Sequence, residues 1–152
     1  MEKIKARDIM TKKVITISRN TSIREADEIL KKNKITGLPV IDKEGEMVGI
    51  ISEKHLLSIY DIRGEEVEHY AFRLPYEYRV WVEEIMTKEV LSVNEETSLK
   101  EICEIMVKNH IHRVPVLREK KVVGIISTMD IAKYTLELLS EKISKKNLTR
   151  NK

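Results

Sequence analysis

Ser127, Thr128 and Asp130 place two hydroxyls and a carboxylate within four residues, directly after the apolar run at residues 122–126. β-Branched residues dominate that run, which reads as a buried strand, and helix-forming residues follow from Met129. A strand that turns into a helix here exposes backbone N–H groups. With a hydroxyl they can receive a phosphate, while one carboxylate can accept bonds from both hydroxyls of a ribose. The same residues fit a plainer reading, in which Ser127 or Thr128 caps the helix and Asp130 favours its positive end. Both readings stand on these residues alone. The stretch, however, occurs twice: MVGIISEKH at 47–55 repeats VVGIISTMD at 122–130.

The repetition reaches well beyond the glycine. Met86 follows Met10 by 76 positions, as Thr97 follows Thr21 and Pro115 follows Pro39. One turn residue is then dropped opposite Gly45, so Gly124 and Ser127 follow Gly49 and Ser52 by 75. Two copies are too few for a solenoid and are expected to pack about a pseudo-twofold axis.

Each copy must position its corner with a β-α-β-β-α series. In the first, residues 6–10 form a lead-in turn and residues 14–17 a short strand. Residues 20–33 form an amphipathic helix with Ile23, Ala26, Ile29 and Leu30 on its apolar face. Thr21 or Ser22 caps it, and Glu25 completes a capping box with Ser22. A second strand covers 35–41, with Pro39 implying an edge or strand-end position. DKEG at 42–45 makes a hairpin turn, 47–51 a third strand and 53–60 a second helix. Residues 61–81 break the pattern with Gly64, Pro75, the only Phe and Trp and three of the five tyrosines. They read as a partly helical connector whose aromatics cover the joint between the halves or face a partner. The chain therefore divides into a first unit at 1–60, the connector at 61–81, a second unit at 82–139 and a basic tail at 140–152, read as a frayed helix end.

With 152 residues, 41% of them hydrophobic, the chain can bury a core as one compact unit or two very small ones. Its 28 basic and 25 acidic residues leave a net charge of only +3. Lys and Glu interleave along every helix instead of forming the basic stripe that nucleic acid requires. Only the tail and a pI of 8.9 point that way. Mixed charge at this density suits a heat-adapted soluble protein. No stretch approaches the roughly 20 apolar residues that span a bilayer, and the N-terminus lacks the apolar core of a signal peptide. The single cysteine, Cys103, precludes an intramolecular disulfide and fits a reducing cytoplasm. Its place in an apolar helical pattern makes it core filler rather than a nucleophile.

The paired units resemble tandem CBS domains, named after cystathionine β-synthase and together called a Bateman module. DIMT and EIMT at the unit starts, the GLPV and HRVP strands and the two VGIIS corners carry the resemblance, which spans about residues 6–60 and 82–138. It implies an α/β fold of two pseudo-twofold-related β-α-β-β-α units whose small sheets pack together, leaving two clefts. A chain of this kind is similar to stand-alone members that bind adenosine-containing ligands and regulate other proteins. Carried over by motif, one cleft takes His112, Ile125, Ser127, Met129 and Asp130 from the second unit and Thr21, Ala26, Ile35 and Thr36 from the first. In that family pattern Asp130 accepts both ribose hydroxyls, Ser127 bonds a phosphate or ribose oxygen, and Ile35 and Ile125 sandwich the adenine. The other cleft departs from the pattern. Its corner reads Ser52-Glu53-Lys54-His55, with histidine where the ribose carboxylate stands; Thr97, Ile102, Ile111, His112 and Arg113 complete it. It is expected to bind more weakly, with phosphate on Arg113.

His110 and His112 would share a face of a strand, but two imidazoles fall short of the three or four ligands of a zinc site, so no metal is expected. No base or nucleophile recurs beside Asp130, and no P-loop, dinucleotide fingerprint, HExxH or GxSxG motif is present. The chain reads as a non-enzyme without a cofactor, its ligand being AMP, ADP, ATP or an adenosyl-sulfur compound. A ligand-free dimerisation scaffold and a nucleic-acid accessory protein are the alternatives. Units of some 55 residues bury little core alone, so a homodimer packed through helices in a flat disc is expected, with neither membrane nor nucleic acid as partner.

Overall fold

The structure, a computed structural model, describes residues 4–61 and 80–150, with side chains from 4 to 57 and from 80 to 145. The aromatic connector expected at 61–81 lies, apart from its ends, outside the described residues. The architecture is mixed α/β. In order, the elements are α1 (Ala6–Ile9), β1 (Ile17–Ser18), α2 (Ile23–Asn33), β2 (Gly37–Ile41), β3 (Met47–Ser52), α3 (Glu53–Asp61), α4 (Val82–Ile85), α5 (Leu99–Asn109), β4 (Arg113–Arg118), β5 (Lys121–Ser127) and α6 (Thr128–Arg150).

By contact the chain forms two compact units. The first holds Ile15–Leu91 with Glu119–Val122; the second holds Met1–Val14, Ser92–Arg118 and Val123–Lys152. Each repeat thus gives its lead-in to the unit built mainly by the other repeat. In the second unit, Ala6 N–H donates to the Thr97 carbonyl at 2.8 Å and Leu99 N–H to the Ile4 carbonyl at 2.8 Å. In the first, Val82 N–H donates to the Thr21 carbonyl at 2.9 Å and Ile23 N–H to the Val80 carbonyl at 3.1 Å. The lead-ins are apolar where this requires it: Ala6 and Val82 are completely buried.

In the first unit β2 lies between β1, parallel, and β3, antiparallel. Pro39 therefore sits in a central strand, not at the edge that its missing N–H implied. Ile50, opposite Pro39, directs its own N–H and C=O outward to Thr87 (2.9 and 3.0 Å). The pair Pro39–Ile50 is thus not hydrogen-bonded, and the proline nitrogen faces the β1 side. There β1 pairs only with Val40 and Ile41, so no N–H is missed. The strand expected at 14–17 shrinks to Ile17–Ser18; Ile17 reaches the core while Ile15 stays exposed. Ser22 caps α2 in the expected capping box, its Oγ accepting from Glu25 N–H at 3.2 Å and Glu25 Oε2 accepting from Ser22 N–H at 3.1 Å. Asp42 Oδ1 accepts from the N–H groups of Glu44 and Glu46, and Gly45 at φ 81° closes the expected turn. Leu30, Leu38 and Ile51 are buried at the centre, each contributing about 1.5–3 kcal/mol.

The second unit departs from the expected series by one strand. Where the first has β1, it has a single parallel bridge, Val93 to Val116. Asn94 turns the chain at once, donating its N–H to Thr97 Oγ1 and accepting Glu96 N–H. The core here comprises Ala6, Ile102, Met106, Val114, Val116 and Ile126 among others. Residues 140–150, expected to fray, continue α6 without a break. Among the described residues no helix is long and apolar enough to cross a membrane.

Candidate functional site: two strand–helix corners

β5 brings Ser127 to the start of α6 with Ile126 buried beneath it. Its outer edge is held by the lead-in: Thr11 and Ile125 exchange both backbone bonds, at 2.9 and 3.1 Å, and the Met10 side chain lies against Gly124. A Cβ on Gly124 would stand 2.8 Å from Met10 Cγ, so only glycine admits this approach.

At the corner, Ser127 Oγ donates to Asp130 Oδ2 at 2.6 Å, Ser127 N–H donates to the same oxygen at 2.7 Å, and Asp130 N–H returns a bond to Ser127 Oγ at 3.2 Å. This is a capping box with aspartate as its third helical residue. Thr128 N–H donates to the His112 carbonyl at 2.9 Å. The free N–H groups expected for a phosphate are therefore mostly absent: Ser127, Thr128 and Asp130 all use theirs inside the corner, which is how a helix start satisfies its own donors. What remains available is one carboxylate oxygen. Asp130 Oδ1 accepts no bond among the described residues.

The other corner has the same plan with a different side chain. Glu53 N–H donates to the Thr36 carbonyl at 3.2 Å, and Thr87 pairs with Ile50 as Thr11 does with Ile125. His55 occupies the place of Asp130. Its Nδ1 accepts from Ser52 N–H at 3.0 Å and lies 2.9 Å from Ser52 Oγ; its Nε2 lies 2.9 Å from Thr87 Oγ1. A backbone N–H can only donate, so Nδ1 carries no proton and the ring donates from Nε2 to the threonine. Histidine here is a capping residue with both nitrogens engaged.

The structure gathers His112, Ile125, Ser127, Met129 and Asp130 around the start of α6 in the second unit. Asp130 and Ile125 are half-buried, whereas His112 and Met129 are exposed. Thr21, Ala26, Ile35 and Thr36 belong to the first unit. Thr21 precedes α2, Ala26 is wholly buried, Ile35 packs on the core, and exposed Thr36 leads into β2. Of the residues expected at the weaker cleft, Ser52 and His55 form the first unit's corner. Thr97, Ile111 and Arg113 are half-buried in the second unit, and Ile102 is core. The expected sharing of a strand face by His110 and His112 does not occur. His110 closes α5 in the left-handed region at φ 52°, and β4 begins only at Arg113. Among the described residues no three His, Cys, Asp or Glu side chains group as metal ligands. The Cys103 thiol is held above its usual range by burial and by nearby Glu104. On the surface, Arg118 bonds Glu95 through two nitrogens, at 2.8 and 2.9 Å, and holds its carboxyl below the ordinary range. Sequence reasoning passed over Thr11 and Thr87. The signal was there: both repeats place a threonine directly after the lead-in methionine.

The CBS domain family matches residues 6–61 and 82–137, and the chain belongs to it, as a tandem pair. Inosine-5′-monophosphate dehydrogenase of Methanocaldococcus jannaschii is 32% identical over 130 residues, covering 85% of this chain but 23% of that enzyme. The chain spans only 22% to 33% of the length of the first curated relatives it matches. Among solved structures, the CBS domain pair of the protein MJ0100, in complex with 5′-methylthioadenosine and S-adenosyl-L-methionine, is 31% identical with a TM-score of 0.72 over 86% of this chain and 94% of that one. CBSX2 in complex with AMP is 26% identical with a TM-score of 0.73, over 89% and 98%.

Proposed function

We propose that this CBS pair is a non-catalytic regulatory module that binds an adenosine-containing ligand and transmits the bound state to a partner protein. The observation that carries the reading is Asp130: one oxygen caps α6 and the other accepts no bond among the described residues, so the carboxylate can cap the helix and still accept from a ribose. The likeness to CBS pairs complexed with AMP and with adenosyl-sulfur compounds supports that class of ligand. His55, with both nitrogens engaged, makes its corner the weaker one. In this reading the module is a cytoplasmic homodimer.

A scaffold without ligand is favoured by one specific observation, the complete capping box, which gives Asp130 a structural reason to exist. A thermal-shift screen with AMP, ADP, ATP, S-adenosylmethionine and 5′-methylthioadenosine separates the two. A ligand at ~100 times its dissociation constant stabilises the fold by about 2.7 kcal/mol. No shift with any of the five compounds would sink the sensor and leave the scaffold.

A further inference from the structure

We infer that Thr11 is a ligand contact: its hydroxyl hydrogen-bonds the same ribose hydroxyl that donates a hydrogen bond to Asp130. The inference rests on the nucleoside reading above and adds a residue to it.

The two corners measure each other. In the first unit the third helical side chain, His55, is long enough to accept from Ser52 at one nitrogen and reach the lead-in threonine, Thr87, at 2.9 Å with the other. In the second unit the backbone frame is the same, a threonine bridged to the second residue before the capping serine (Thr11 to Ile125, as Thr87 to Ile50). Asp130 is shorter than histidine. Its carboxylate ends on Ser127 and makes no bond to Thr11, whose exposed hydroxyl has no partner among the described residues. An acceptor, Asp130 Oδ1, and a hydroxyl, Thr11 Oγ1, are thus left on the frame that the imidazole spans in the other unit. The group that satisfies both must donate to the carboxylate and share a hydrogen bond with a hydroxyl, which can donate or accept. A ribose hydroxyl does both at a single oxygen, with one proton to give and lone pairs to receive the threonine's. Thr11 therefore adds a second polar contact beside Asp130 Oδ1, and His55 stands on its own corner where the ligand oxygen stands on this one.

The test is titration calorimetry of the full chain with AMP and with S-adenosylmethionine, followed by the 2′-deoxy and 3′-deoxy analogues of whichever binds. Thr11→Val keeps the β-branched shape and the backbone bridge. It is expected to weaken binding roughly three- to tenfold, the effect of one neutral hydrogen bond, and to shrink the penalty for one deoxy analogue. Thr11→Ser restores both, and the melting temperature stays unchanged in either variant. Wild-type affinity and unaltered deoxy discrimination in Thr11→Val overturn the assignment of Thr11, and a loss of binding in Asp130→Asn then leaves the nucleoside reading intact. If wild type binds neither compound nor any other in the thermal screen, the nucleoside reading falls and Thr11 falls with it.

Discussion

Asp130 serves two purposes with two oxygens, and substitutions can separate them. Asp130→Ala removes both. Loss of the cap costs about 0.5–2 kcal/mol of stability, and loss of a charged acceptor weakens nucleotide binding roughly ten- to a hundredfold. Asp130→Asn retains an oxygen for Ser127 but not the charge, so its denaturant midpoint should stay near wild type while affinity falls as far as in the alanine variant. Calorimetry beside urea melts checks both; full affinity in Asp130→Asn would show that the carboxylate only caps. The reverse experiment belongs to His55. His55→Asp gives Ser52 the shorter partner that Ser127 has, releases the Thr87 hydroxyl and adds an acid to the first turn of α3, where the helix dipole favours one. The expected outcome is a second ligand per chain, read as a rise in calorimetric stoichiometry; an unchanged stoichiometry counts against the proposed role of the corner.

The elements show how far local pattern reaches. The amphipathic face of α2, its Ser22–Glu25 box, the turn at Asp42 and both strand–helix corners were legible because each rests on residues adjacent in the chain. Where expectation and structure part, some causes are local: His110 closes α5, and the N–H groups of Ser127 and Asp130 serve the cap. Others involve partners distant in sequence. Pro39 is interior because β1 is too short to need its N–H. His55 reads as a lost ribose ligand until its bonds to Ser52 and Thr87 reveal a cap. The site residues grouped by family resemblance are spread over elements of both units, so local pattern could not derive that grouping. Least legible was the fit of each lead-in against a glycine, for which the sequence offers only the recurrence of Met10 and Met86 beside Gly124 and Gly49 as repeated positions. That fit makes a sharp prediction. Gly124→Ala drives a methyl into the Met10 side chain and should cost about 1–3 kcal/mol, as overpacking does; Met10→Ala in the same chain should return much of it. At Gly49 an added methyl would also stand 2.9 Å from the Thr87 carbonyl, which is backbone and cannot withdraw. Gly49→Ala combined with Met86→Ala should therefore recover less. Urea denaturation of these three variants and of Gly49→Ala alone decides the order, and equal recovery at both sites contradicts it.

At the scale of the molecule, the repeat in sequence and the unit in space do not coincide. The second unit needs Met1–Val14, with Ala6 completely buried in its core, so a chain of residues 82–152 alone should not fold. Circular dichroism of that fragment is expected to show no cooperative melt, and adding a peptide of residues 1–14 should restore one; a cooperative transition in the fragment by itself would refute the dependence. Light scattering of the intact chain at micromolar concentration should give twice its 17.8 kDa, and the single-chain mass would rule out the proposed dimer. The exchanged lead-ins also set an order in time. Thr11 cannot meet Ile125 until more than a hundred further residues have been made, on the order of ten seconds of synthesis at typical rates. The first unit has its own lead-in from residue 80 and most of its strands by residue 91. On the ribosome, then, the chain closes its middle before its beginning, and Ala6 and Met10 wait uncovered for the last strand to emerge.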